Sequence, residues 1–207
     1  MPDLLLELFS EEIPARMQAR AAEDLKRLVT NALVEAGLTY ASAGAFSTPR
    51  RLTLSVEGLS AASAAKREER KGPRADAPEK AIAGFLRATG LNREDLEQRD
   101  DKKGPVLFGV IETPGQRAAA IIAACLPDLL RRFPWPKSMR WGTGALTWVR
   151  PLRRSLCILT DEAGARGVPF DLAGITAGDV TEGHRFMAPQ PYTVSDFDSY
   201  EPGLSRA

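Results

Sequence analysis

The sequence predicts an α+β fold of mixed strands and helices in two small lobes. Three observations carry this: an apolar strand runs straight into a helix, a cleanly alternating strand follows, and the later elements do not keep a regular βαβ order. Leu4, Leu6 and Leu8 alternate with Leu5, Glu7 and Phe9, which reads as a short, largely buried strand. Ser10-Glu11-Glu12-Ile13-Pro14 reads as a turn into a helix. Pro14 suits the first helical position, and the two glutamates suit the positive end of the helix dipole. Met17, Ala21, Leu25, Leu28, Val29, Ala32 and Leu33 then recur on one helical face, and Gly37 ends that helix. After a loop, Arg51 to Glu57 alternates with Leu52, Leu54 and Val56 on one side, a half-buried strand.

Residues 60 to 78 are rich in Ala, Lys, Arg, Gly and Pro and have no sustained apolar period, so they read as an exposed connector. A short helix places Ala81, Ile82, Phe85 and Leu86 inward and closes at Gly90, and Asn92 with Asp95 resembles a capping pair. Val106 to Glu112 is a strand, followed by a Thr113-Pro114-Gly115 turn. The next helix aligns Ile122, Cys125, Leu126, Leu129 and Leu130 and ends in Arg131 and Arg132, where cations are favoured. Strands are predicted at Leu156 to Thr160 and Val168 to Leu172, around a turn from Asp161 to Gly167. From Ala188 onward the chain is polar, with little to bury. The expected organisation is a strand–helix–strand lobe over 1–65, a basic connector over 66–80, a second α+β lobe over 81–187 and a polar tail over 188–207.

Composition is that of an ordinary globular protein, with 43% hydrophobic and 27% charged residues in 207. No apolar run approaches the roughly 20 residues that span a bilayer. Met1-Pro2-Asp3 lacks a basic leader, and Glu7, Glu11 and Glu12 interrupt the apolar start, so no signal peptide is read there. Cys125 and Cys157 stand alone in apolar surroundings, which suits buried free thiols and a cytoplasmic location. The net charge of +1 conceals a one-signed segment. Arg131, Arg132, Lys137, Arg140, Arg150, Arg153 and Arg154 occur with no acid among them.

Conventional catalytic chemistry is missing. One histidine, His184, excludes multi-histidine metal sites. No Gly-x-Ser-x-Gly elbow, P-loop or Rossmann fingerprint is present, so no catalytic residues, no metal and no cofactor are assigned. A free-standing hydrolase would need a cleft around His184 that holds a nucleophile and an orienting carboxylate. Adjacent Glu11 and Glu12 diverge and read as solvated acids at a helix start.

The strongest local feature is Pro136-Lys137-Ser138-Met139-Arg140-Trp141-Gly142. Such a loop can pair phosphates through Lys137 and Arg140 while Trp141 stacks on a base or ribose. The other reading is that Trp141 and Met139 plug the core and the cations stay wet; both remain open at this point. Val149-Arg150-Pro151-Leu152-Arg153-Arg154 extends the basic stretch; if extended, it puts Arg150, Leu152 and Arg154 on one side. RNA contact and pairing with internal carboxylates are both open for these arginines. In Thr48-Pro49-Arg50-Arg51 the two arginines are expected on opposite sides of a strand. Lys71-Gly72-Pro73-Arg74 reads as a flexible basic loop able to clamp a backbone, or as a solvated connector. His184, with Arg185 beside it, either binds a ligand or holds a turn.

Taken together and in order, these segments resemble the glycyl-tRNA synthetase β subunit family of the bacterial two-subunit type. The resemblance is carried by Leu4-Leu5-Leu6-Glu7-Leu8, Glu11-Glu12-Ile13-Pro14-Ala15, Thr48-Pro49-Arg50-Arg51-Leu52 and Lys71-Gly72-Pro73. It continues through Lys137-Ser138-Met139-Arg140-Trp141-Gly142, Val149-Arg150-Pro151 and Gly183-His184-Arg185-Phe186. Arg154 departs from it, since the family commonly has an aromatic residue there. The family's chain continues far beyond Ala207, into an HD-like helical domain and an anticodon-binding domain, so an N-terminal part is expected. The resemblance implies an α2β2 ligase that joins glycine to tRNA(Gly) using ATP and Mg, with adenylate formation on the α subunit. It implies tRNA and the α subunit as partners, with Lys71, Arg74, Lys137, Arg140, Trp141 and Arg150 as candidate tRNA contacts. The alternative is a scaffold that docks the α subunit without touching RNA.

Overall fold

The structure, a computed structural model, describes residues 1–101 and 104–206. In chain order its elements are β1 (Asp3–Ser10), α1 (Ala15–Glu35), β2 (Ser42–Thr48), β3 (Arg51–Glu57), β4 (Lys66–Arg74), α2 (Glu79–Thr89), β5 (Leu96–Asp101) and β6 (Gly104–Thr113). There follow α3 (Ala118–Arg131), β7 (Leu152–Asp161), β8 (Gly164–Gly167), β9 (Asp171–Leu172), β10 (Ile175–Thr176), β11 (Val180–Glu182), β12 (Pro191–Thr193) and α4 (Phe197–Ser205). The chain divides into two compact units, Met1–Ser63 with Arg117–Ala207, and Ala64–Gln116. The sequence suggested successive lobes over 1–65 and 81–187. Instead the first unit is discontinuous, because β7 pairs with β1 in one sheet and so returns the chain to its start.

In the larger unit an antiparallel sheet runs in the order β2-β3-β1-β7-β8. β1 sits at its centre and is buried on both faces. Leu4, Leu6 and Leu8 point into the main core with Leu25, Val29 and Leu33 of α1 and Ile122, Leu126 and Leu130 of α3. Leu5 points the other way, into a smaller core with Leu156, Ile158, Val194 and Tyr200. Strand alternation therefore divides one sequence between two cores. Val194 and Tyr200 are buried, which corrects the expectation of a tail with little to bury. α4 is capped by Asp196, whose carboxylate accepts from Ser199 N at 2.7 Å, and Tyr200 anchors it to the sheet.

Cys157 is fully buried in the main core and Cys125 is partly buried; burial pushes both thiols above their ordinary range. No helix among the described residues is long and apolar enough to cross a membrane.

Residues 164–167, expected as a turn, are β8, while of the strand expected over 168–172 only Asp171–Leu172 is one. At the start of β7 the register shifts between Phe9 and Ser10, with Phe9 opposite Arg154 and Ser10 opposite Leu152. The extra residue turns Leu152 into the main core, so Leu152 and Arg154 do not share a side as expected.

The smaller unit is a three-stranded antiparallel sheet, β4-β6-β5, with α2 packed on it. Lys66–Arg74, read as part of an exposed connector, is thus a strand. Its side chains are charged, and they are matched across the sheet: Arg99 forks onto Glu69 at 3.1 and 3.2 Å. Gly72 is required here, because a Cβ would lie 2.8 Å from the Phe85 ring of α2.

Candidate functional site: a cleft at the sheet end and a clamped basic loop

Three segments far apart in sequence meet where β1 ends. Ser10 N donates to Arg50 O at 2.8 Å, Ile13 N to Pro49 O at 2.6 Å, and Glu11 N to Pro151 O at 2.9 Å. These bonds gather Glu11-Glu12-Ile13-Pro14, Thr48-Pro49-Arg50-Arg51 and Val149-Arg150-Pro151 at one end of the sheet. Glu12, Thr48, Arg50, Arg51, His184 and Arg185 line a cleft of about 380 Å³ there. Arg50 and Arg51 both line it, contrary to the alternation argument, because Arg50 lies in the turn and the strand begins only at Arg51. Both guanidinium carbons stand 4.6 Å from the Phe9 ring centroid.

Below the cleft lies a buried polar cluster that the sequence did not reveal. Glu7 has no exposed surface. Its Oε1 accepts from Thr181 Oγ1 at 2.6 Å, and its Oε2 from Arg51 Nε at 3.1 Å and Tyr200 Oη at 2.5 Å. Thr53 Oγ1 lies 2.9 Å from Tyr200 Oη, and Arg51 Nη2 donates to the Glu182 carbonyl. A buried carboxylate is tolerated when a cation and several donors satisfy it, and that condition is met. Burial, and then the Glu7 charge, push the Tyr200 phenol above its ordinary range. The legible signal was an acid between Leu5 and Phe9 on one buried strand face.

Three further arginines near the cleft are committed to acids. Arg153 pairs with Glu11 at 3.3 Å, Arg154 with Glu182 at 3.5 Å and Arg185 with Glu12 at 3.2 Å. Glu11 and Glu12 are therefore ion-pair partners rather than merely solvated acids. His184 Nδ1 accepts from the N–H groups of Phe186 and Met187, both at 3.3 Å, so it holds a turn. No nucleophile is hydrogen-bonded to it among the described residues, so the hydrolase arrangement is not assembled. Nor is any group of three or more His, Cys, Asp or Glu there placed to hold a metal.

The basic loop of the same unit is built differently. Met139 N donates to Trp148 O at 2.7 Å and Trp148 N to Met139 O at 3.1 Å. This bridge clamps the base of residues 140–147 onto a cluster of Trp148, Trp135 and Phe133, whose ring centroids lie 4.8 to 5.2 Å apart. Gly142 takes a φ of 57° at the turn, a value that L side chains seldom adopt. Trp141 is half-buried against the main core. Lys137 and Arg140 are exposed and have no ion pair among the described residues. Arg150 is exposed, and its Nη1 donates to the carbonyl of Val149 at 2.9 Å.

Lys71 and Arg74 belong to the smaller unit. Lys71 lies opposite Phe108 in the β4–β6 ladder, and Arg74 grips Asp76 with two bonds of 2.9 and 2.8 Å. Of the eight residues singled out from sequence, His184 and Arg185 line the cleft. Arg140 and Trp141 lie in the clamped loop, with Lys137 two residues before Met139 and Arg150 two residues past Trp148.

The larger unit thus carries a charge-paired cleft at the end of its sheet and a clamped basic loop. The profile of the family described as "Glycyl-tRNA synthetase beta subunit" matches residues 4–207, and the chain belongs to that family. It is 70% identical over its whole length to a glycine–tRNA ligase beta subunit of Cereibacter sphaeroides, and 66% identical to that of Paracoccus denitrificans. A Phenylobacterium zucineum relative of the same name is 54% identical over 99% of the chain. The chain spans about 30% of the length of each of these relatives.

Proposed function

We propose that this chain is the part of a cytoplasmic glycine–tRNA ligase beta subunit that contributes tRNA binding and subunit assembly. In this reading ATP and Mg serve adenylate formation on the alpha subunit, and glycine is passed to tRNA(Gly) in the assembled enzyme. The observation that carries RNA contact is the sorting of the cations. Arg51, Arg74, Arg153, Arg154 and Arg185 are held by acids, whereas exposed Lys137, Arg140 and Arg150 have no acid partner among the described residues. Phosphate binding costs least where no internal carboxylate must first be displaced. Trp141, half-buried beside them, leaves part of its indole exposed to meet a base.

The paired arginines support a second role. The ion pairs of Arg51, Arg153, Arg154 and Arg185 tie the sheet end together, which suits a scaffold against which the alpha subunit docks. A gel-shift titration of the chain with tRNA(Gly), with and without alpha, separates the two. RNA retained by the chain alone supports direct contact. A shift seen only when alpha is present supports the scaffold.

A further inference from the structure

We propose that the cleft between Thr48–Arg51 and Gly183–Arg185 is an oxyanion site that takes a phosphate group. Its walls carry more hydrogen-bond donors than the protein uses. A guanidinium has five N–H donors. Arg185 directs Nη2 to Glu12, which leaves Nε and Nη1 without a protein acceptor among the described residues. Arg50 directs Nε to Ser10 O at 3.2 Å and, among the described residues, has otherwise only a 3.7 Å ion contact from Nη2 to Glu11. Arg51 uses Nε and Nη2, on Glu7 and on the Glu182 carbonyl.

The histidine adds a donor of fixed identity. Because Nδ1 accepts from two backbone N–H groups, Nε2 is the ring nitrogen left to donate into the cleft. Against these donors the lining offers one carboxylate, Glu12, already engaged by Arg185. A tetrahedral oxyanion with several acceptor oxygens matches such a surplus, and phosphate matches planar guanidinium forks in particular. One wall of the site is also held in place before any ligand arrives. Arg51 is held from below by buried Glu7, and Phe9 lies under both arginines. The cleft volume of about 380 Å³ admits a phosphate together with part of what it is attached to.

The phosphate has two possible sources, an RNA backbone diester or a free phosphate or nucleotide. Only the first rests on the RNA reading above. His184 is the one histidine of the chain, so its imidazole NMR signals report this cleft without ambiguity. The chain, in chloride buffer at constant ionic strength, is titrated with inorganic phosphate, with ATP and with a short RNA hairpin. A saturable shift of the His184 signals by phosphate is expected. Arg185→Ala should weaken it by about tenfold, the worth of one charge-assisted contact. Glu12→Gln, which frees Arg185 from its acid, should tighten it, a gain that misfolding cannot imitate. A hairpin that shifts the same signals in competition with phosphate assigns the RNA backbone; a shift by phosphate and ATP alone assigns a free phosphate. Absence of a saturable shift overturns the proposal, as does an affinity that neither variant changes. Lys137→Ala with Arg140→Ala leaves the phosphate response of His184 intact, so failure of the loop to bind RNA is distinguished from failure of the cleft.

Discussion

Tyr200 of α4 donates a 2.5 Å hydrogen bond to Glu7 of β1, joining residues 193 positions apart inside the smaller core. The contact fixes the last helix to the central strand and, through the same carboxylate, fixes Arg51 beneath the cleft. Tyr200→Phe removes a donor from a buried carboxylate and should cost about 1–3 kcal/mol of stability. Glu7→Leu leaves the Arg51 charge without its partner and should cost more, about 3–5 kcal/mol. Urea unfolding of the two single variants and the double variant checks this. A double variant whose loss equals the sum of the singles would show that the two residues are not coupled.

The cap of α4 carries a pH dependence. The Ser199 hydroxyl, and then the Ser199 N–H, hold the Asp196 carboxyl below its ordinary range. A depressed folded value means that the contribution is fully present above the unfolded Asp value of about 3.9 and is lost as pH falls through the lower folded value. Asp196→Ala should cost about 1 kcal/mol at pH 7. Asp196→Asn should keep part of the cap and lack the acid-range loss. Unfolding midpoints of wild type and Asp196→Asn, compared from pH 7 to pH 3, should converge at the acid end. Parallel curves would contradict the assignment.

Thiol reactivity tests the main core. Burial raises the Cys157 thiol far above its ordinary range, so little thiolate is present and none is accessible. Under native conditions at pH 8, a thiol reagent should leave Cys157 unmodified and react slowly with Cys125, and both should react at once in urea. Rapid native labelling of Cys157, located by peptide mapping, would mean that the β7 face of the core is open.

Legibility in the sequence followed the size of the apolar signal. β1, α1, β3 and α3 each carry a run of Leu, Ile or Val at the right period, and each was found near its bounds. β2 was missed because Ser42-Ala43-Gly44-Ala45 has no alternation to read. β4 and β5 were missed because their charged side chains stay exposed, and backbone pairing with β6 is what makes them strands. The candidate loop was legible as a composition, a basic run with tryptophans and no acid. The cleft was not, since it exists only where residues near 12, 50 and 185 meet through tertiary pairing. Glu7 was legible only as an interruption of an apolar strand; nothing local names Arg51, Thr181 and Tyr200 as what satisfies it.

In the proposed function, the exposed segment from Lys137 to Trp141 places cations on tRNA phosphates. Each phosphate contact releases counterions, so the logarithm of the binding constant falls with the logarithm of salt by about 0.7–0.9 per contact. Binding of tRNA(Gly) to the chain is measured across a salt series for wild type and for Lys137→Ala with Arg140→Ala, the fold of each verified by thermal unfolding. Weaker binding by the double variant is expected, with a slope flatter by about 1.4–1.8. An unchanged affinity and an unchanged slope in the folded double variant would contradict it.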